Sequence, residues 1–228
     1  MTDRQTILDR LRRFRAQSGI APVSSPETIP AHAGVASSSH PPPDPEAELA
    51  TFVQHLKAAH AEVCHVPKAE WAGWVAHRAE SEGWQLLACG ARPELAAPLA
   101  GHLSAERLWV MDEAIDTRRH RLFHQVDAGI SLAQGGISET GTLILATGPQ
   151  EPRTLSLVPP VHVLLFDPAT LYPDLATALN ARGWARQMPT NLLLISGPSK
   201  TADIQQTLAY GAHGPKRLLV LILEAHHG

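Results

Sequence analysis

Residues 85–111 contain Gln85-Leu86-Leu87-Ala88-Cys89-Gly90, then Pro93-Glu94-Leu95-Ala96-Ala97-Pro98-Leu99-Ala100-Gly101-His102-Leu103, then Arg107-Leu108-Trp109-Val110-Met111. The first run is apolar, of strand length, and closed by glycine. The second reads as a helix and the third as another strand. Strand, helix and strand in immediate succession argue for an α/β fold with a mostly parallel sheet flanked by helices on both faces.

The alternation continues outward in both directions. Upstream, Leu49, Phe52, Val53 and Leu56 mark one helical face. Residues 61–66 read as a strand, and Trp71, Trp74 and Val75 mark a helix that ends near Gly83. Downstream, 114–124 reads as a helix. Then the pattern changes. Ala128-Gly129-Ile130-Ser131-Leu132-Ala133 alternates with period two, and Thr142-Leu143-Ile144-Leu145-Ala146 reads as a second strand. The Gly-rich connection between them predicts a β-hairpin inserted into the α/β sheet. Alternation resumes with a strand at 161–166, a helix at 171–184, a strand at 192–196, a helix at 202–209 and a strand at 217–223. There is no internal repeat.

The ends differ from the middle. Ile7, Leu11 and Phe14 recur at i, i+4 and i+7, with arginines opposite, so residues 1–18 hold an amphipathic helix. Its narrow apolar stripe must dock, on its own domain, on a partner or on a second copy in a homo-oligomer. Residues 19–45 carry seven of the 19 prolines, with Ser37-Ser38-Ser39 among them, and read as a linker. The folded body is expected over 46–228.

Composition sets further bounds. Among 228 residues, 44% hydrophobic content is enough for a sizeable core. With 19 Lys+Arg against 22 Asp+Glu, the net charge of -3 argues against broad nucleic-acid binding, which usually needs a basic face. No signal-type apolar stretch follows the basic start, and the longest apolar run, 218–223, is far short of the ~20 residues a membrane span needs. The expectation is a soluble, cytoplasmic protein. Cys64 and Cys89 lie in apolar runs and read as buried free thiols, with a reactive pair as the alternative. Two cysteines cannot hold an iron–sulfur cluster that needs four.

Three segments look unlike scaffold. In Gly135-Gly136-Ile137-Ser138-Glu139-Thr140-Gly141-Thr142, the glycines let the backbone turn and a ligand approach. Glu139 there is placed as a base, a nucleophile or a hydroxyl binder, or it satisfies the turn's own donors together with Thr140. In Ser196-Gly197-Pro198-Ser199-Lys200-Thr201-Ala202-Asp203, an apolar strand leads into an expected helix start. Free N–H groups there attract a phosphate, a carboxylate or a coenzyme pyrophosphate, with Lys200 adding charge; alternatively Ser199 or Thr201 caps the helix. The Lys-Thr pair is not a P-loop, because Ser199 and Leu194 stand where glycines are required. In Gly211-Ala212-His213-Gly214-Pro215, a histidine sits on a loop between glycines, in a functional or a solvated position.

The remaining histidines read as scaffold. His162 is expected to be a hydrogen-bonded core residue. His120 and His124 are four apart, but Arg118, Arg119 and Arg121 crowd them against a metal. No GxGxxG points to a Rossmann site.

Taken together, these three segments resemble those of the LUD-domain family. The carrying residues are Gly129-Ile130, Glu139 to Leu143, Ser196 to Ser199, Thr201 to Ile204, Gly211 and His213 to Pro215. The resemblance implies a fold similar to the phosphosugar-isomerase and CoA-transferase superfamily. It also implies a role in oxidising L-lactate to pyruvate, with partner proteins that carry the iron–sulfur clusters and no cofactor in this chain. On that reading Glu139, Asp203 and His213 are the catalytic candidates. Gly135, Gly136, Thr140, Gly141, Ser196, Gly197, Ser199, Lys200 and Thr201 would hold a small carboxylate or phosphate-like anion. Two other readings stand beside it. One is a stand-alone transferase or isomerase binding CoA or phosphate, with Glu139 as base or nucleophile. The other is a pure interaction module.

Overall fold

The computed structural model describes residues 44–111, 119–202, 208–210 and 214–225. The expected first helix and nearly all of the proline-rich linker lie outside them. The described chain begins with helix α1, Pro45–Ala58. Asp44 accepts a hydrogen bond from the Glu46 N–H (3.0 Å), Pro45 occupies the first turn, and Glu46 and Glu48 place negative charge there. All three features stabilise a helix start. Phe52 and Leu56 are buried, and Leu49 and Val53 pack beside them, which is the face expected from the spacing.

Six strands form a parallel sheet: β1 (Glu62–Pro67), β2 (Leu87–Gly90), β3 (Leu108–Met111), β4 (Ala128–Leu132), β7 (Val161–Phe166) and β12 (Arg217–Glu224). Their order is β1-β12-β7-β4-β2-β3, and every pairing is parallel. Helices α2 (Trp71–Ser81) and α3 (Pro93–Ala100) cover one face with Trp71, Val75, Leu95 and Leu99. Strand β12 shows why the sheet is central. Leu219, Leu221 and Leu223 enter that cluster, while Leu218, Val220 and Ile222 enter the cluster on the other side. A strand buried on both faces reads as a continuous apolar run. Helix α4, Arg119–His124, is the described part of the helix expected over 114–124.

A second sheet packs on the other face, in the order β8-β5-β6-β9. It comprises β5 (Gly135–Ile137), β6 (Thr142–Thr147), β8 (Leu171–Tyr172) and β9 (Asn191–Ile195). Leu143 and Leu145 of β6 share a cluster with Phe52 and Leu56 of α1, Leu164 and Phe166 of β7, and Val220 of β12. Helix α5, Leu175–Ala181, closes the far side through Ala178 against Ile137 and Ile144.

Four sequence expectations change. The inserted hairpin exists, but its arms are β5 and β6; residues 128–132 are a strand of the parallel sheet. Their alternation misled because Gly129 and Ser131 are buried small residues rather than a solvent face. A Cβ on Gly129 would stand 2.4 Å from the Leu155 carbonyl oxygen. The 171–184 helix is shorter: Leu171 and Tyr172 pair with β5, and Asp174 caps α5 by accepting from the Thr177 N–H at 2.7 Å. Strand 191–195 pairs antiparallel with β6 instead of entering the parallel sheet. The helix expected over 202–209 is not formed at either end. Lys200–Ala202 (β10) and Leu208–Tyr210 (β11) are antiparallel strands, and 203–207 lie outside the described residues.

The edge next to β1 carries a charged network. Arg217 donates to Glu62 (2.9 Å) and to Glu82 (2.9 Å), and Arg78 donates to both carboxylates (2.9 and 2.7 Å). Hydrogen bonds from Arg217 hold the Glu82 carboxyl down at about 2, against an ordinary 4.5. A depressed carboxyl contributes stability above its unfolded value and loses it as pH falls toward the folded value. An Arg217→Met protein should therefore be less stable than wild type above pH 4.5. The gap between the two melting temperatures should close as the pH is lowered from 4.5 toward 2. A constant gap would show that Glu82 does not titrate through this pair.

Candidate functional site

The hairpin turn and the loop after β9 meet through side-chain hydroxyls. The Thr140 and Thr142 hydroxyls are 2.7 Å apart, and Thr142 is 2.8 Å from the Ser196 hydroxyl. Ser199 N–H donates to the Pro215 carbonyl at 2.9 Å. Thus the described parts of the three segments adjoin one another. Asp203 and His213 lie outside the described residues.

Ser196, Gly197, Pro198 and Ser199, with Gly214 and Pro215, line a cavity of about 230 Å3. His162 forms part of its wall. It is buried, and its Nε2 is 3.1 Å from the Ser131 hydroxyl, as expected of a core histidine. Burial pushes its pKa down to about 4, so the ring is neutral at physiological pH.

The glycines serve the packing. The Gly136 Cβ position would lie 2.8 Å from the Phe166 ring, and that of Gly135 3.1 Å from the Tyr172 ring. Gly141 adopts φ +59° and backs onto His55, where a Cβ would stand 2.4 Å away. Gly197 presses on the Ala59 carbonyl, 2.7 Å from a Cβ position. In each case protein fills the space a side chain would need, so these residues bring α1, β7 and the hairpin together.

Glu139 lines a different depression from Ser196–Ser199. It is exposed, its N–H donates to the Pro173 carbonyl (3.2 Å), and Glu48 and Asp174 line the same groove. Three carboxylates repel an anion, so the hairpin turn is a poor anion site. The other expected anion site also changes character. Lys200 is exposed on β10, and no helix starts at Thr201, so the aligned N–H groups of a helix start are missing there. Among the described residues no group of three His, Cys, Asp or Glu could hold a metal ion. No described helix is long and apolar enough to cross a membrane.

One residue with a functional signature escaped the sequence. Glu151 follows β6 in a tight turn, in which Gly148 and Glu151 exchange backbone hydrogen bonds (3.0 and 3.1 Å). It is only 3% exposed. Neither carboxylate oxygen is in hydrogen-bonding geometry with a protein group. The Ser131 hydroxyl, 3.1 Å from His162 Nε2, also adjoins the Glu151 carboxyl and is close enough to lower its pKa. Burial raises the Glu151 carboxyl to about 7, with Ser131 and Arg92 acting against the rise and Glu94 adding to it. Gly90, at the end of β2, allows this turn to sit where it does: a Cβ there would be 2.2 Å from the Gln150 carbonyl oxygen. Burial and the charge of Glu151 push the neighbouring Cys89 thiol up to about 12, so it is inert. A carboxylate among Gly148, Pro149 and Pro152 reads as a solvated turn residue, and no periodicity marks its burial.

A family model described as the LUD domain matches residues 49–223. An uncharacterized protein of Neisseria meningitidis serogroup B is 42% identical over 176 residues, covering 75% of each chain. A lactate utilization protein C of Halalkalibacterium halodurans is 32% identical over 131 residues, covering 55% of this chain and 56% of that one. The chain thus spans about half of that relative. A crystal structure of a DUF162 family protein from Deinococcus radiodurans superposes with a TM-score of 0.63 at 21% identity, covering 80% of this chain and 100% of that one, and so shares its fold. The family match runs from within α1 to the penultimate residue of β12 and takes in both sheets, and on that span this chain belongs to the LUD domain family.

Proposed function

We propose that this chain acts in lactate utilisation as an accessory component that binds a small carboxylate and leaves the electron chemistry to iron–sulfur partner subunits. The relatives named lactate utilization protein C support the process. The observation that carries the binding role is the cavity under Ser196–Ser199. Its volume of about 230 Å3 is below the ~300–1,000 Å3 of sites for drug-sized ligands, and so suits a molecule of a few heavy atoms. The neutral His162 and the Ser196 and Ser199 hydroxyls supply hydrogen-bonding groups there. A CoA or phosphate ligand at residues 196–201 has less support, since the helix start it needed is a strand.

The test is genetic and biochemical. A strain lacking the gene should fail to grow on L-lactate yet grow normally on pyruvate. The wild-type gene should restore growth, and a Ser199→Phe gene, which fills the cavity, should not. The tagged protein should co-purify with subunits carrying iron and acid-labile sulfide. Normal growth of the deletion strain on L-lactate would refute the reading.

A further inference from the structure

Glu151, Ser131 and His162 form a line of buried polar groups. Its two ends meet different spaces. Glu151 lines a cleft of about 440 Å3 together with Arg92, Thr147, Gly148 and Gln150. His162 lines the cavity under Ser196–Ser199, and the two spaces share no lining residue. The strand register makes the line. Strands β4 and β7 pair in parallel, with Gly129 opposite His162. Ser131, two residues further along β4, therefore lies on the same face of the sheet as His162. Its hydroxyl is 3.1 Å from His162 Nε2 and adjoins the Glu151 carboxyl.

A serine hydroxyl has one hydrogen to donate, and a neutral imidazole has one N–H and one acceptor nitrogen. Two arrangements satisfy the line. In the first, protonated Glu151 donates to the Ser131 oxygen, Ser131 donates to Nε2, and His162 carries its hydrogen on Nδ1. In the second, Ser131 donates to ionised Glu151, its oxygen accepts from Nε2–H, and Nδ1 is a bare acceptor. The charge of Glu151 chooses between them, because a hydroxyl bonds a carboxylate about twice as strongly as a neutral acceptor. With Nε2 engaged by Ser131, Nδ1 is the ring nitrogen left to serve the cavity.

We propose that Ser131 and Glu151 are positioning residues for His162, forming a proton relay between cleft and cavity in which ionisation of Glu151 turns Nδ1 from a hydrogen-bond donor into an acceptor. The step balances as three short transfers: one proton passes from Glu151 to Ser131, one from Ser131 to Nε2, and one from Nδ1 to water in the cavity. One proton is released and no electrons change hands. The consequence for ligand recognition rests on the binding role proposed above for the cavity; the relay itself does not. The charged and titratable groups that face Glu151 are Arg92 and Glu94 at the start of α3 and Cys89 on β2. Only burial acts on His162. Arg92 is a permanent cation. Hydrogen bonds from its own backbone N–H and from Arg92 hold Glu94 below its ordinary 4.5, and the Cys89 thiol stays neutral up to about 12. His162 is neutral above about 4. A change in its tautomer near pH 7 therefore reports Glu151.

The test is nuclear magnetic resonance of the full chain labelled with 15N-histidine, with no ligand added. Two-bond 1H–15N correlations distinguish the two neutral tautomers, and the His162 signal is assigned by its loss in His162→Gln. Between roughly pH 5.5 and 8.5, the Nε2–H tautomer should gain about tenfold over the Nδ1–H tautomer, as expected when a neutral hydrogen bond is exchanged for a charge-assisted one. The midpoint should fall at about 7, where Glu151 titrates. Glu151→Gln cannot ionise and should abolish the pH dependence. Ser131→Ala, which cuts the line while Glu151 still ionises, should abolish it too; a merely structural role for Ser131 would leave it in place. A constant tautomer in the wild type, or one that still follows pH in either variant, would overturn the proposal. Because no ligand is involved, that result would leave the binding role of the cavity standing. Normal growth of the deletion strain on L-lactate would refute the binding role and leave the relay standing.

Discussion

Replacing Phe166 by alanine should destabilise the protein by about 3–5 kcal/mol, the range for removing a buried aromatic ring. For a chain of this size that corresponds to a melting temperature lower by roughly 6–20 °C. Phe166 is 0% exposed. Its ring lies 4.9 Å from that of Phe52, tilted by 42°, and its far edge touches the Gly136 backbone. One side chain thus joins the parallel sheet, α1 and the inserted hairpin. The cavity left by alanine would be walled by three elements, and none of them can collapse alone. Phe166→Leu, which keeps much of the volume, should recover most of the loss. A thermal melt of the three proteins decides the matter: a shift of under 3 °C for the alanine variant would mean that the two sheets are held together elsewhere.

The second large effect depends on pH. Glu151 titrates at about 7 in the folded chain, against an ordinary 4.5. Between those values the unfolded chain gives up the proton while the folded chain keeps it. Stability therefore falls as pH rises through this window and levels off above about 7. A rise of this size corresponds to about 3 kcal/mol of stability. Glu151→Gln keeps the shape and cannot ionise. Its stability should be close to wild type at pH 4.5 and exceed it by up to about 3 kcal/mol at pH 8, as measured by urea unfolding at both values. His162 acts at the other end: its folded value of about 4 lies below the ordinary 6.5, so it loses stability as pH falls through that interval. Parallel pH profiles for wild type and Glu151→Gln would show that the carboxyl is ionised and solvated.

Most elements were legible in the sequence because their signals are local. The apolar run 218–223, the Leu49, Phe52, Val53 and Leu56 face, and the strand–helix–strand unit at 85–111 all appear near their expected positions. Which sheet a strand joins was not legible. Residues 192–195 are as apolar as a central strand, yet β9 pairs only with β6, and its Leu194 is 50% exposed. Gly129 and Ser131 resembled a half-exposed pattern because small residues are polar or neutral in composition whether or not they are buried. The hydroxyl contacts among Thr140, Thr142 and Ser196 span 54 residues and have no local mark. Glu151 is the sharpest case. Its burial comes from Gly90 and Ser131, which lie 61 and 20 residues earlier and are brought beside it by the parallel pairing of β2 and β4.

Strand β12, the last of the described strands, is an interior strand, placed between β1 and β7. Glu62 aligns with Leu219 and Pro67 with Glu224, so β1 finds its neighbour only across some 157 residues. During synthesis at ~5–20 residues per second, β1 must wait roughly ten seconds or more for that neighbour, and the open edge of β7, 56 residues upstream of its partner, roughly three to ten seconds. Throughout that interval the nascent chain presents unpaired strand edges and the apolar faces of Val66 and Phe166. The β1–β12 pairing is a contact of high sequence separation, and such contacts slow refolding. Chains that stop short of residue 217 lose the strand that joins β1 to the rest of the sheet, and they are natural clients for chaperones and proteases.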